Sequence, residues 1–169
     1  MKLPTDSVRV QNEKKAAWNE SRSIDTADFF TIGYVGRNKE QFLELLKSAG
    51  VASLVDMRAN PVSMYKPDFS KGNLKRFLEE HDIQYFHQAS LGVPREIRAK
   101  AVGQPNRDVI WTWYDSQVVD RVAGRNLHWF FNALEHPVAL MCTELDPTSC
   151  HRHRLALALE GHRLQSFDL

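Results

Sequence analysis

The stretch richest in reactive side chains is MCTELDPTSCHRH, Met141 to His153. Cys142 closes an apolar run and Glu144 follows it. Asp146-Pro147-Thr148-Ser149 has the character of a turn and N-cap, and Cys150-His151-Arg152 then opens a helix. Helix N-terminal N–H groups and the macrodipole lower a thiol pKa, so Cys150 is expected to be a thiolate nucleophile. His151 would act as acid or base, with Glu144 orienting it or acting itself. Arg152 offers a planar cation suited to a carboxylate or phosphate. The same helix start would also hold an anion without covalent chemistry. Cys142 is expected to be a small buried hydrophobe. Zinc held by Cys142, Cys150, His151 and His153 would match no common ligand spacing, and adjacent Cys150 and His151 would need an awkward turn. No metal is therefore expected.

A second group lies around Asp56 and Arg58, which alternate at the end of the apolar run Val51–Met57. A carboxylate there orients a base, caps a helix, holds a ribose hydroxyl or simply pairs with Arg58. Gly33 and Gly36 sit in a turn that resembles a loose phosphate loop, but the three-glycine dinucleotide fingerprint is missing. Trp111, Trp113 and Tyr114 fit core and rim packing better than base stacking.

These residues need a frame. Strands are expected near residues 30–35, 51–57, 83–87 and 137–142, from β-branched, aromatic and apolar runs. An Asn38-x-x-Gln41 capping box starts a helix carrying Phe42, Leu45 and Leu46, and Gly50 ends it. Further helices are expected around Leu74–Leu78, Val109–Val122, Leu127–Leu134 and Leu155–Leu159. The order βαβαβααβα predicts a single three-layer α/β domain, a mostly parallel sheet of about four to five strands with helices on both faces. Residues 1–27 lack an apolar period and are expected to form a flexible or loosely docked extension, leaving 28–169 as the domain. Ligands of such sheets bind beyond the strand C-termini. Tyr34, Asp56, Arg58 and Glu144 are thus expected to share one cleft with Cys150–Arg152, and His87 stands at another strand end.

The 169 residues suit one domain, and 43% apolar with 25% charged residues excludes wholesale disorder. No apolar run is long enough to span a bilayer. Twenty-two basic against 21 acidic residues, a net charge of +1, give no reason to expect a polyanion-binding surface overall. Two cysteines and no signal peptide point to reducing cytoplasm.

The motifs TIGYVG (Thr31–Gly36), LVDMRANPVS (Leu54–Ser63) and CTELDPTSCHR (Cys142–Arg152) resemble the family called domain of unknown function 488. Phe69-Ser70-Lys71, Tyr85 with His87, and Leu91-Gly92 follow in the expected order, and the resemblance runs from about Phe29 to about Gly161. It implies a compact α/β fold and a shared site, with no assigned reaction. Val35 stands where the family often has a small hydroxyl residue. Val93 stands where it often has a second glycine, and a β-branched residue resists positive φ.

The expected function is that of a small enzyme acting on an anionic or nucleotide-like substrate by hydrolysis or group transfer. Glu144, Cys150, His151 and Asp56 would be catalytic, and Tyr34, Arg58, Ser63, His87 and Arg152 would bind substrate. No cofactor is specified. A likeness to rhodanese-type sulfur transfer is weaker, because the loop after Cys142 is acidic and contains proline. The alternative is a non-catalytic module binding nucleic acid or a partner, with Arg95, Arg98, Lys100 and Arg107 on one loop and Lys66, Lys71, Lys75 and Arg76 on another. No membrane partner is expected.

Overall fold

The structure, a computed structural model, describes residues 8–123 and 132–169. Five parallel strands form one sheet: β1 (Phe29–Gly33), β2 (Ser53–Asp56), β3 (Gln84–His87), β4 (Val138–Cys142) and β5 (Ser166–Asp168), in the order β3-β2-β4-β1-β5. The three-layer α/β architecture expected from the sequence is the one observed. Each expected strand is present, and β5 is an addition. Its three residues, Ser166-Phe167-Asp168, are too short to carry an alternation that could be read.

Side chains alternate across a strand, so each strand feeds two cores. Val138 and Leu140 of β4 pack with Val55 and Phe29 under α4 (Arg95–Lys100), α5 (Asp108–Tyr114) and α7 (Arg152–Glu160). Ala139 and Met141 pack on the other face with Leu54, Phe30 and Ile32, under α2 (Lys39–Ser48) and α3 (Lys71–Glu79). The capping box at α2 forms as expected: Gln41 N–H donates to Asn38 Oδ1 at 2.8 Å, and Asn38 N–H to Gln41 Oε1 at 3.0 Å.

The helix expected over Val109–Val122 is not uniform. After α5 comes a π-helical stretch, Asp115–Val119, and then α6 (Asp120–Ala123). The helix expected over Leu127–Leu134 lies largely outside the described residues, although Leu134 packs against the core beneath α5. The segment expected as an extension contains α1 (Val8–Asn19), which is docked. Lys15 Nζ donates to the Asp168 carbonyl at 2.7 Å, and Asn19 bonds both the N–H and the carbonyl of Asp168. Among the described residues, no helix is long and apolar enough to cross a membrane.

Candidate functional site

The parallel sheet turns all strand C-termini to one edge, where a pocket of about 70 Å³ opens. Cys142, Glu144, Cys150 and His151 line it together with Arg58, Arg98, Arg107 and Trp111. Four of the expected residues thus line it together: Arg58, Glu144, Cys150 and His151. Two close backbone approaches shape the edge. A Cβ on Gly33 would stand 1.7 Å from the Glu144 carbonyl oxygen, and one on Gly92 would stand 2.2 Å from the Ala59 nitrogen. Only glycine lets the chain after β4 cross β1 and the Leu91 turn cross Ala59. Val93, next to Gly92, is buried and lines the pocket.

Cys142 continues the Val138 and Leu140 side of β4, which aims its thiol at the α5 and α7 layer. Its Sγ lies 3.6 Å from His151 Nδ1 and 4.0 Å from Glu144 Oε2. Cys150 Sγ lies 3.9 Å from the same Nδ1. His151 Nε2 faces the Met57 carbonyl at 3.4 Å, and the ring packs on Tyr114, whose hydroxyl donates to the Leu91 carbonyl. Both thiols are buried. Arg107 Nη1 donates to Glu144 Oε1 at 3.4 Å and also to the Ser149 carbonyl, holding Glu144 beside the sulfurs.

The surroundings of Cys150 run against the thiolate expected there. Burial pushes its thiol well above the usual range, and neighbouring Cys142 and Glu144 push the same way. Cys150 closes the short Pro147–Ser149 turn with extended backbone, ahead of α7, so it lies outside the helix whose dipole would have stabilised it. His151 is also raised: burial works against its charge, but the sulfur of Cys150 and the carboxylate of Glu144 outweigh it.

Arg152 does not line the pocket. It is wholly buried, with Nη1 on the Glu144 carbonyl at 2.6 Å, Nη2 on the Leu145 carbonyl at 3.0 Å and Nε on Asp168 Oδ1 at 3.1 Å. Its donors tie β4, α7 and β5 together. Asp56 and Tyr34 share the edge but occupy the other face of the sheet. Asp56 accepts from Arg58 Nε at 2.8 Å, from Arg58 Nη2 at 2.6 Å and from Tyr85 Oη at 2.5 Å, and Tyr34 stacks on Phe69. Burial and the Asp56 charge keep the Tyr85 hydroxyl protonated as a donor. Burial disfavours the Arg58 cation, but the Asp56 bonds and charge raise its pKa and hold it charged. Arg58 Nη1 is buried and has no hydrogen-bond partner among the described residues.

Ser63 ties its own loop, and His87 bonds the loop after β2. Ser63 N–H donates to Ser70 Oγ at 3.0 Å while its hydroxyl accepts from Lys66 N–H at 3.2 Å. His87 Nε2 sits 2.8 Å from the Arg58 carbonyl. The sequence reasoning missed the pocket roles of Cys142, Arg107 and Trp111. Arg107 could have been singled out by its place directly before the helix that starts at Asp108.

A family model described as domain of unknown function DUF488 matches residues 38–159. The chain belongs to that family. In this DUF488 chain the matched span holds β2, β3, β4, the pocket wall and most of α7; β1 and β5 fall outside it. No curated protein and no solved structure matches the chain.

Proposed function

We propose that the protein is an enzyme of the hydrolase or group-transfer class acting on a small anionic, nucleotide-like substrate. The observation that supports this most is that one pocket is lined by cationic and acid–base side chains together. Arg98 and Arg107 line it with Cys142, Glu144, Cys150 and His151, and Arg107 reaches Glu144 directly. An anionic group held by the guanidinium groups would present its neighbouring atom to Glu144 and His151. Glu144 is the acid–base candidate, because it is part-exposed to the pocket and oriented by Arg107.

The basic loops offer less to a nucleic-acid reading. Lys75 pairs with Glu79, Lys66 bonds the Arg37 carbonyl, and Arg107 is turned inward to Glu144. The test is a calorimetric titration of the intact chain with inorganic phosphate, nucleoside monophosphates, short carboxylates and single-stranded oligonucleotides. The reading expects one small anion to bind, Arg107→Ala to weaken it about 10-fold or more, and Glu144→Gln to bind but not turn over. Retention of oligonucleotides alone, with no small-anion binding, would favour the non-catalytic module instead.

A further inference from the structure

Two cysteines and a histidine from two separate elements converge at the pocket wall: the ligand atoms of Cys142, Cys150 and His151 all lie within 4.8 Å of one another. We propose that these three residues bind a thiolate-seeking divalent metal of the zinc class, with the fourth coordination position open to the pocket. The site shares its cavity with the function proposed above but rests on donor geometry alone.

The distances suit a tetrahedral ion. With metal–sulfur bonds of about 2.3 Å and metal–nitrogen bonds of about 2.0 Å, donor atoms stand about 3.5–3.8 Å apart. The two sulfurs lie 3.6 and 3.9 Å from His151 Nδ1. Adjacency of Cys150 and His151 is no obstacle, because the backbone changes state between them. Cys150 is extended (φ −125, ψ 148) and His151 is helical (φ −61, ψ −16), which brings both side chains to the same point.

The outer contacts also fit. A proton on Nε2 would donate to the Met57 carbonyl at 3.4 Å and leave Nδ1 free for a metal, the arrangement that fixes ring and tautomer in metal sites. Cys142 Sγ, 3.6 Å from Nδ1 and 3.7 Å from Nε2, would turn toward Nδ1 to share the ion. His153 takes no part: its Nδ1 bonds the Cys150 carbonyl, and its ring packs edge-on against Trp18 and Trp111. Glu144 stands apart from the three-donor cluster, 4.0 Å from Cys142 Sγ, where it would take a proton from a metal-bound water. Two cysteines and one histidine with a non-ligating carboxylate is a donor set that supports hydrolytic chemistry. The metal-bound hydroxide oxygen would bond to the substrate's electrophilic atom, and the leaving group would depart with the proton held by Glu144.

The experiment uses the full chain, stripped with chelator under reductant and titrated with Zn(II) and with Co(II). The expected result is one equivalent of either metal, and for cobalt a thiolate charge-transfer band with intense tetrahedral d–d bands. Cys142→Ser and His151→Gln should each lower affinity by more than the roughly 10–100-fold that loss of an outer contact costs. His153→Gln should keep both bands. Should the ligand variants fail to fold, X-ray absorption on the wild-type zinc form decides, with two sulfurs and at least one nitrogen expected. A folded wild-type chain that takes up well under one equivalent, or a metal without sulfur ligands, overturns the site. The anion titration run on metal-free protein keeps the two proposals apart, since either can fail while the other stands.

Discussion

Arg152 and Asp168 form a completely buried ion pair, Nε to Oδ1 at 3.1 Å, joining the first residue of α7 to the last strand. Thr31 Oγ1 donates to the same Oδ1 at 2.5 Å, and Lys15 Nζ lies 3.2 Å from Oδ2. Two cations thus share one carboxylate, and none of the cluster lines the pocket. The guanidinium beside Cys150 is therefore a tie between elements.

Breaking that tie should be costly. Removing one partner of a buried pair strands the other charge and costs about 3–5 kcal/mol. Arg152→Ala and Asp168→Asn should each lower the unfolding free energy read from urea melts by that order, and Arg152→Lys should not recover it, because a single ammonium cannot serve Glu144, Leu145 and Asp168 together. An Arg152→Ala chain of near wild-type stability would refute this role.

Gly33→Ala should disturb the site through the backbone alone. The new Cβ has the Glu144 carbonyl oxygen at 1.7 Å, so β1 and the β4 exit must separate. A loss of about 1–3 kcal/mol or more is expected, together with a weakened Arg152 contact to that carbonyl. Denaturant melts compared with Gly72→Ala, where a Cβ meets nothing within 4 Å, would show whether the effect is specific.

Neither thiol should react readily in the native chain. Cys150 is 1% exposed and Cys142 is 3% exposed, and burial holds the Cys150 thiol protonated. Iodoacetamide at neutral pH should label both only after denaturation, as read by mass spectrometry. Rapid labelling of Cys150 in the folded, metal-free chain would restore the nucleophile that its burial removes.

Acid should loosen the N-terminal segment. Burial disfavours the Glu160 carboxylate, but bonds from Arg22 and Ser166 outweigh it and hold its pKa below the usual carboxylate value. Its contribution is complete above the ordinary carboxylate pKa and disappears as pH falls through the depressed value. For this part-exposed pair the loss is about 0.2–1 kcal/mol. Arg22 also lies over the Trp18 ring at 3.9 Å, so the fluorescence difference between wild type and Trp18→Phe should change over that acid range and stay flat in Glu160→Gln.

The sheet was largely legible because runs such as Val51–Met57 and Pro137–Cys142 are apolar on both faces, as strands covered on both sides must be. The strand-end rule also found the correct edge. It could not tell one face of that edge from the other. A single register step decides that Asp56 points toward α3 while Cys142 points toward α7, and the apolar runs give no periodic signal for it. The convergence of Cys150 and His151 was illegible for a related reason: it depends on a change of backbone state at two adjacent residues, which spacing does not encode.

Asn19 has a consequence for colloidal behaviour. Its carboxamide accepts from the Asp168 N–H at 3.1 Å and donates to the Asp168 carbonyl at 2.8 Å, the pair of bonds a sixth strand would make along β5. One side chain thus impersonates a neighbouring chain at the rim of the sheet, where unsatisfied main-chain groups invite edge-to-edge pairing with another molecule. Lys15 adds a charge at the same spot. Helix α1 is in this sense a guard against self-association, and trimming it away would convert β5 into a sticky border.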